Sequence, residues 1–275
     1  MSSIRARFIR GEEVKYISHL DLMKVFERSL RRANVPIAYS QGFNPHPQMV
    51  FGLPLSVGVT SEAEYADFDL AVDMTPELFM EMLNGSLPSG LRVTGAEYLN
   101  TRSNIMKEIS AAAYDVLVSL PGEEGINCIS EKLRELLNQT EISVMKEGKK
   151  GARPIDIKPM IYAVEIKNLF TNESERVDTG NTSIMPERSG VWVKEYADAI
   201  REKSIPGLSY KAESLCSVSM LLSAGSAANL KPELVLKALN EKYVLDLKAV
   251  KIHRIGLYVN KGGRVLDPLD TIALS

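Results

Sequence analysis

The order in which strand and helix signals alternate over the first hundred residues constrains this chain more than any other feature. Residues 4–9 alternate, with Ile4, Ala6 and Phe8 on one side and Arg5, Arg7 and Ile9 on the other, as in a strand with one wet face. Ser18 then opens a helix: Asp21 three residues on makes a short capping box, and Ile17 and Leu22 can close a hydrophobic staple across it. Met23, Phe26, Leu30 and Ala33 recur at three- and four-residue spacing toward a core until Pro36 stops the helix. Residues 37–39 read as extended, a loop runs Gln41-Gly42-Phe43-Asn44-Pro45-His46-Pro47, and the apolar stretch 49–59 reads as extended again. Thr60-Ser61-Glu62-Ala63 reads as a turn into a strand over 64–72. Thr75-Pro76-Glu77 supplies an N-cap, a first-position proline and a first-turn acid; Asn84-Gly85 closes that helix, and 91–99 is a last strand.

Strand, helix, two strands, helix, strand is the split βαβ or ferredoxin-like order, a four-stranded antiparallel sheet with two helices on one face. A polar linker follows at 101–112, and then the pattern restarts. Residues 114–120 read as a strand, and a helix follows with Ile126, Ile129, Leu133 and Leu136 inward. Strands at 142–145 and 160–166 flank a basic turn; 217–223 is a further strand, 232–243 a helix and 251–259 the last strand. Residues 170–207 look like an insertion carrying one short helix at 193–202. The expected fold class is therefore α+β, two tandem ferredoxin-like domains over residues 1–100 and 113–275.

Charge is unevenly distributed. Residues 1–60 hold eight Lys or Arg against four acids, whereas 61–90 hold seven acids and no base, so the net charge of -2 conceals a polar gradient. A uniformly basic nucleic-acid binder is excluded, and any such surface must be local. Lys24, Arg28 and Arg31 form one stripe on the first helix, with Arg32 one turn from Arg28. Lys146, Lys149, Lys150, Arg153 and Lys158 bracket a glycine-containing turn. Both clusters suit a phosphate backbone, and both also suit a plain solvated face.

His46, held between two prolines, is a candidate general acid or base, ligand or stacking group, and equally a turn residue bonded to local backbone. His19 is a second candidate, although helical angles place it near the Met23 and Phe26 line. His253 lies in a strand and reads as structural. Asp67 and Asp69 share one strand face, and an exposed strand face explains the pattern better than a carboxylate pair, which would need a base or a metal-bound phosphate beside it. Three scattered histidines and two cysteines, Cys128 and Cys216, fit neither a zinc site nor the three thiolates of a radical-SAM cluster, so no metal is expected in this chain. With no 18-residue apolar run and no signal-peptide core, a soluble cytoplasmic protein is expected. A Walker A motif and a GxGxxG after the first strand are both missing.

The segments Lys15-Tyr16-Ile17-Ser18-His19-Leu20-Asp21-Leu22, Arg31-Arg32-Ala33, Tyr39-Ser40-Gln41-Gly42-Phe43-Asn44-Pro45-His46-Pro47 and Glu64-Tyr65-Ala66-Asp67 occur in that order. With the later Arg153-Pro154-Ile155-Asp156-Ile157, they resemble the radical-SAM-linked protein family, whose members stand alone or follow a radical SAM protein in one chain. The resemblance implies a separately encoded radical SAM partner that carries the iron-sulfur cluster and S-adenosylmethionine. It supplies no catalytic residue. The expectation is a non-catalytic partner that binds RNA or another anionic substrate through Lys24, Arg28, Arg31, Arg32, Lys149, Lys150 and Arg153. The competing expectation is a metal-independent endoribonuclease of tandem ferredoxin-like layout, using His19 or His46 as general acid or base.

Overall fold

The computed structural model describes residues 2–99, 104–120, 126–148, 151–168, 174–177, 185, 192, 196, 198–199, 215–261 and 264–273. The architecture is mixed α+β, with a large, mostly antiparallel sheet. The chain divides into two compact units, residues 1–111 with 224–227 and 256–275, and residues 112–223 with 228–255.

The first unit contains β1 (Ser3–Arg10), a 3-10 turn (Glu12–Val14), α1 (His19–Arg32), β2 (Met49–Phe51), β3 (Thr60–Asp69), α2 (Pro76–Asn84), β4 (Leu91–Tyr98) and α3 (Ile105–Glu108). Its strands lie in the order β4-β1-β3-β2, every neighbour antiparallel. Local chemistry sets both long helices. Ser18 Oγ accepts the Asp21 N–H at 3.2 Å, and Thr75 Oγ1 accepts the Leu78 N–H at 3.3 Å beside Pro76 in the first turn. α1 ends at Arg32 because Asn34 turns left-handed, with φ 52°, ahead of Pro36. Both helices pack on one face of the sheet, where Phe8, Phe26, Phe51, Phe68 and Phe79 meet ring to ring at 4.9–6.1 Å.

The other face of β1 departs from the sequence reading. Arg5 is only 1% exposed, so this face is not wet. It lies under α3 and a returning C-terminal segment that holds β12 (Arg264–Leu266) and α6 (Asp270–Ala273). Three other expectations change. Thr60 to Ala63 belongs to β3 rather than to a turn; only Met49–Phe51 of the stretch 49–59 is strand; and described residues 104–112 of the expected linker form α3 and the start of β5 (Ile109–Ser119). The unit boundary also differs from a linear cut at 113, since residues 224–227 and 256–275 join the first unit.

The second unit contains most of β5, α4 (Ile126–Leu137), β6 (Ser143–Lys146), β7 (Arg153–Asp156), β8 (Ile161–Asn168), β9 (Ser174–Val177), β10 (Leu215–Ser223), α5 (Pro232–Tyr243) and the first part of β11 (Lys248–Lys261). Its strand order is β11-β5-β10-β8-β9, with β6 and β7 as a separate two-stranded ribbon. Ile129, Leu133 and Leu136 of α4 are buried, as the periodicity requires. Most of the expected insertion lies outside the described residues; within it Ser174–Val177 is strand, and residues 192, 196, 198 and 199 are helical.

Candidate functional site

The eight basic side chains of residues 1–60 do different work. Arg10 is fully buried and donates to four backbone carbonyls, those of Val14, Lys15, Ile17 and Leu55, so it fastens the β1–α1 connection. Arg5 makes a bidentate pair with its cross-strand partner Asp67, at 2.7 and 3.1 Å, and reaches Glu108 at 2.8 Å and the Pro268 carbonyl at 3.4 Å. Burial works against the Arg5 charge, yet Asp67 and Glu108 outweigh it and raise its pKa. Asp67 also accepts the Ile105 N–H at 2.9 Å, which ties α3 to the sheet. Arg7 pairs with Asp267 at 3.2 Å, and the same carboxylate accepts the Tyr65 hydroxyl at 2.7 Å. Burial, then the Asp267 charge, pushes the Tyr65 pKa far up, so the phenol stays a donor. Asp69 takes a hydrogen bond from Ser3 at 2.6 Å. Asp67 therefore does not sit on an exposed strand face; both carboxylates are engaged in holding the sheet.

The basic residues of α1 lie outside this network. Arg28 and Arg31 are exposed and have no ion pair among the described residues. Lys24 stands 3.5 Å from Asp21, and Arg32 donates to Ser29 Oγ at 3.1 Å and to the Ser86 carbonyl at 2.6 Å, which fixes its head at the helix end. The helix geometry that buries Leu22, Phe26 and Leu30 turns Lys24, Arg28 and Arg31 outward.

In the second unit, Arg153 is exposed on β7 and paired in register with Lys146 of β6, whose ammonium donates to the Asn229 carbonyl at 3.3 Å. Gly148 and Gly151 exchange backbone hydrogen bonds at the ribbon's end. Lys149 and Lys150 lie outside the described residues. Lys158 caps α4 through the Leu137 carbonyl. Inside this unit Ser219 donates to Asp115 at 2.5 Å, both fully buried. Buried His253 stacks on Trp192, with ring centroids 4.4 Å apart and planes at 9°, while buried Lys251 faces Trp192 and Tyr196 at 5.8 and 5.2 Å. Sequence reading missed this cluster, because period-2 alternation on β11 does not reveal a distant Trp192.

The two candidate histidines differ. His19, half-buried at the start of α1, stacks edge-on against Phe51 at 5.7 Å. Its pKa is lowered by burial and then by the Arg10 charge, partly offset by Glu64. His46 is exposed in a loop whose base is shut by Ser40 N–H to the His46 carbonyl at 2.8 Å and His46 N–H to Ser40 Oγ at 3.0 Å. Among the described residues no three His, Cys, Asp or Glu side chains gather to hold a metal. Cys216 is buried, its thiol pushed up to about 12 by desolvation. No helix among the described residues is long and apolar enough to cross a membrane.

Fold and surface thus define a mixed α+β protein of two units with an exposed basic helix face. The chain belongs to a family of uncharacterized proteins conserved in bacteria, DUF2344, whose pattern matches residues 3–232. No functionally curated protein matches it. Among solved structures, a chain of a Cbf5-Nop10-Gar1 complex is 8% identical, with a TM-score of 0.46 over 99% of this chain and 54% of that one. A chain of the archaeal box H/ACA sRNP Nop10-Cbf5 complex is 9% identical, with a TM-score of 0.42 over 92% and 46%. A protein from Galdieria sulphuraria is 10% identical, with a TM-score of 0.22 over 92% and 98%. The chain spans about half the length of the first two. Likeness at this level carries no argument about what the protein does.

Proposed function

We propose that this protein is a non-catalytic partner that binds RNA through the outer face of α1 and presents it to a separately encoded radical SAM enzyme. One observation carries the RNA part: Arg28 and Arg31 are exposed and have no carboxylate partner among the described residues, whereas Arg5, Arg7 and Arg10 are consumed internally. Exposed guanidinium groups with no internal task are suited to phosphate oxygens, which they grip bidentately. Arg153 on the β6–β7 ribbon supplies a further cation in the second unit. The radical SAM partner rests on the sequence resemblance, and the two cysteines agree with a cluster held on another chain.

The finer fold reading belongs with this proposal. In the first unit the order β4-β1-β3-β2 is that of a ferredoxin-like sheet. In the second, β11-β5-β10-β8 repeats it when the β6–β7 ribbon is taken as an insert. The endoribonuclease reading is weaker: the His46 side chain makes no hydrogen bond among the described residues to a group that would orient it as a base, and burial beside Phe51 makes His19 a poor general acid. That residue also begins α1 about 18 Å, at 1.5 Å per residue, from Arg31 near its end.

The test is binding of a labelled single-stranded RNA to the full chain across a salt series. Arg28→Ala with Arg31→Ala is expected to weaken binding at low salt and to flatten the slope of log K against log salt by about 1.4, near 0.7 per lost phosphate contact. Unchanged affinity and slope would remove α1 as the binding surface.

A further inference from the structure

We propose that the loop of residues 41–47 is a base-stacking platform for single-stranded nucleic acid, with Phe43 as the ring on which an unpaired base lies. This deepens the RNA-binding reading and rests on it.

The chain has seven phenylalanines, of which Phe170 is outside the described residues. Five of the other six form the ring cluster under α1 and α2; Phe43 alone is outside, at 107% relative exposure. The loop holds it there. Beyond the paired Ser40 and His46, the Gln48 N–H bonds the Ala38 carbonyl at 2.8 Å, and Tyr39 and Pro47 form an antiparallel bridge. Pro45 and Pro47 fix their own φ angles, and Gly42 sits at φ 133° with no atom within 4 Å of an added Cβ. Glycine is required at that position for the backbone turn rather than for space. The ring is therefore presented by a closed, stiff loop, so little ordering cost remains to be met on binding.

The neighbours of Phe43 indicate which partner it meets. Gln41, Asn44 and His46 are exposed, and their side chains have no hydrogen bond among the described residues. A hydrophobic protein pocket closing over Phe43 would strip these groups of water without replacing it. A nucleobase offers a flat face for the ring and donors and acceptors on its edges for amide and imidazole groups, the combination by which unpaired bases are recognised. Tyr39, 44% exposed at the base of the loop, offers a second aromatic surface. The loop and the arginine stripe both belong to the connection between β1 and β2. The bound strand gives phosphates to Arg28 and Arg31 and a base to Phe43.

The experiment uses the full chain, a fluorescein-labelled 12-nucleotide oligouridine, and the same strand annealed to its complement. Phe43→Ala is expected to lower single-strand affinity about tenfold or more, as loss of one stacked base does, with the salt slope unchanged because no phosphate contact is removed. Phe43→Trp is expected to restore affinity, and its emission should be quenched by oligouridine beyond the Trp192 baseline of the unmutated protein. If Phe43→Ala binds the single strand as tightly as the parent while Arg28→Ala with Arg31→Ala weakens it, the platform is wrong and the RNA reading stands. Equal losses on single strand and duplex also overturn it, since a duplex offers no free base face. If the unmutated protein binds neither form, the RNA reading fails and takes the platform with it.

Discussion

Replacing Asp67 by alanine tests whether the buried face of β1 and β3 is held by charge. The substitution removes both hydrogen bonds to Arg5, at 2.7 and 3.1 Å, and leaves the Ile105 N–H without its acceptor. Arg5 is 1% exposed and keeps the Glu108 carboxylate at 2.8 Å, so its charge stays paired while its Nε and Nη2 donors lose these acceptors. Leaving buried donors without acceptors costs about 1–3 kcal/mol per group, so the loss of these three bonds should cost about 2–4 kcal/mol, whereas replacing both partners by apolar groups is often close to neutral. With a urea m-value of about 2–3 kcal/mol/M for a unit of this size, Asp67→Ala should lower the unfolding midpoint by about 1–2 M. Arg5→Met combined with Asp67→Leu should recover at least about 1 kcal/mol of that loss, a coupling a double-mutant cycle reads directly. The measurement is urea unfolding of the full chain at pH 7, followed by far-ultraviolet circular dichroism. A cost for Asp67→Ala below about 1 kcal/mol would mean that the pair acts like a surface ion pair and refute the argument. So would a double variant as unstable as the sum of its single changes.

Two further outcomes follow from the same unit. The raised pKa of Tyr65 means that the folded state holds a phenolic proton that the unfolded chain releases above about pH 10, so stability is intact below that pH and falls as pH rises beyond it. Tyr65→Phe should shallow this alkaline decline by up to about 1.4 kcal/mol per pH unit, read from urea midpoints between pH 9 and 11. Gly225→Ala places a Cβ 2.2 Å from the Ile109 carbonyl at φ 116°, and should destabilise by several kcal/mol, about 3 or more, in thermal unfolding.

The helices were legible where side chain and backbone signal each other locally. Ser18 with Asp21, Thr75 with Pro76, and Pro232 each mark a start that the structure places within a residue or so. The buried second face was not legible. Arg5 and Arg7 alternate with apolar residues as solvated arginines do, and what covers them comes from Glu108, Asp267 and Pro268, more than a hundred residues away. Thr60 to Ala63 read as a turn because Thr and Ser hydroxyls favour turns, but Thr60, Ser61 and Ala63 are buried along β3, where tertiary pairing overrides that preference. α3 is four residues long, too short for any periodicity to announce it. For the candidate surface, spacing placed Lys24, Arg28 and Arg31 on one stripe, but a count of bases could not separate them from the three arginines of β1. That separation depends on register, on Arg5 lying opposite Asp67 and Arg7 opposite Tyr65. The stiffness of the 41–47 loop was readable from its prolines, whereas its closure needed the Ser40 and His46 pairing that only the fold supplies.

The returning C-terminal segment also has a consequence for synthesis. Arg7 finds Asp267 across 260 residues and Arg5 finds the Pro268 carbonyl across 263, so β1 waits for groups made much later. At about 5–20 residues per second, translation leaves those arginines without these partners for roughly 13–50 seconds after they leave the ribosome. During that interval the helical face of the first unit can already collapse around its phenylalanines, and pairing of β1 with β3 already sets Arg5 against Asp67, while Arg7 waits for its carboxylate. A nascent chain of this protein therefore exposes the mixed-charge face of β1 and β3, with Arg7 not yet paired with Asp267, and its last steps of folding cover that face.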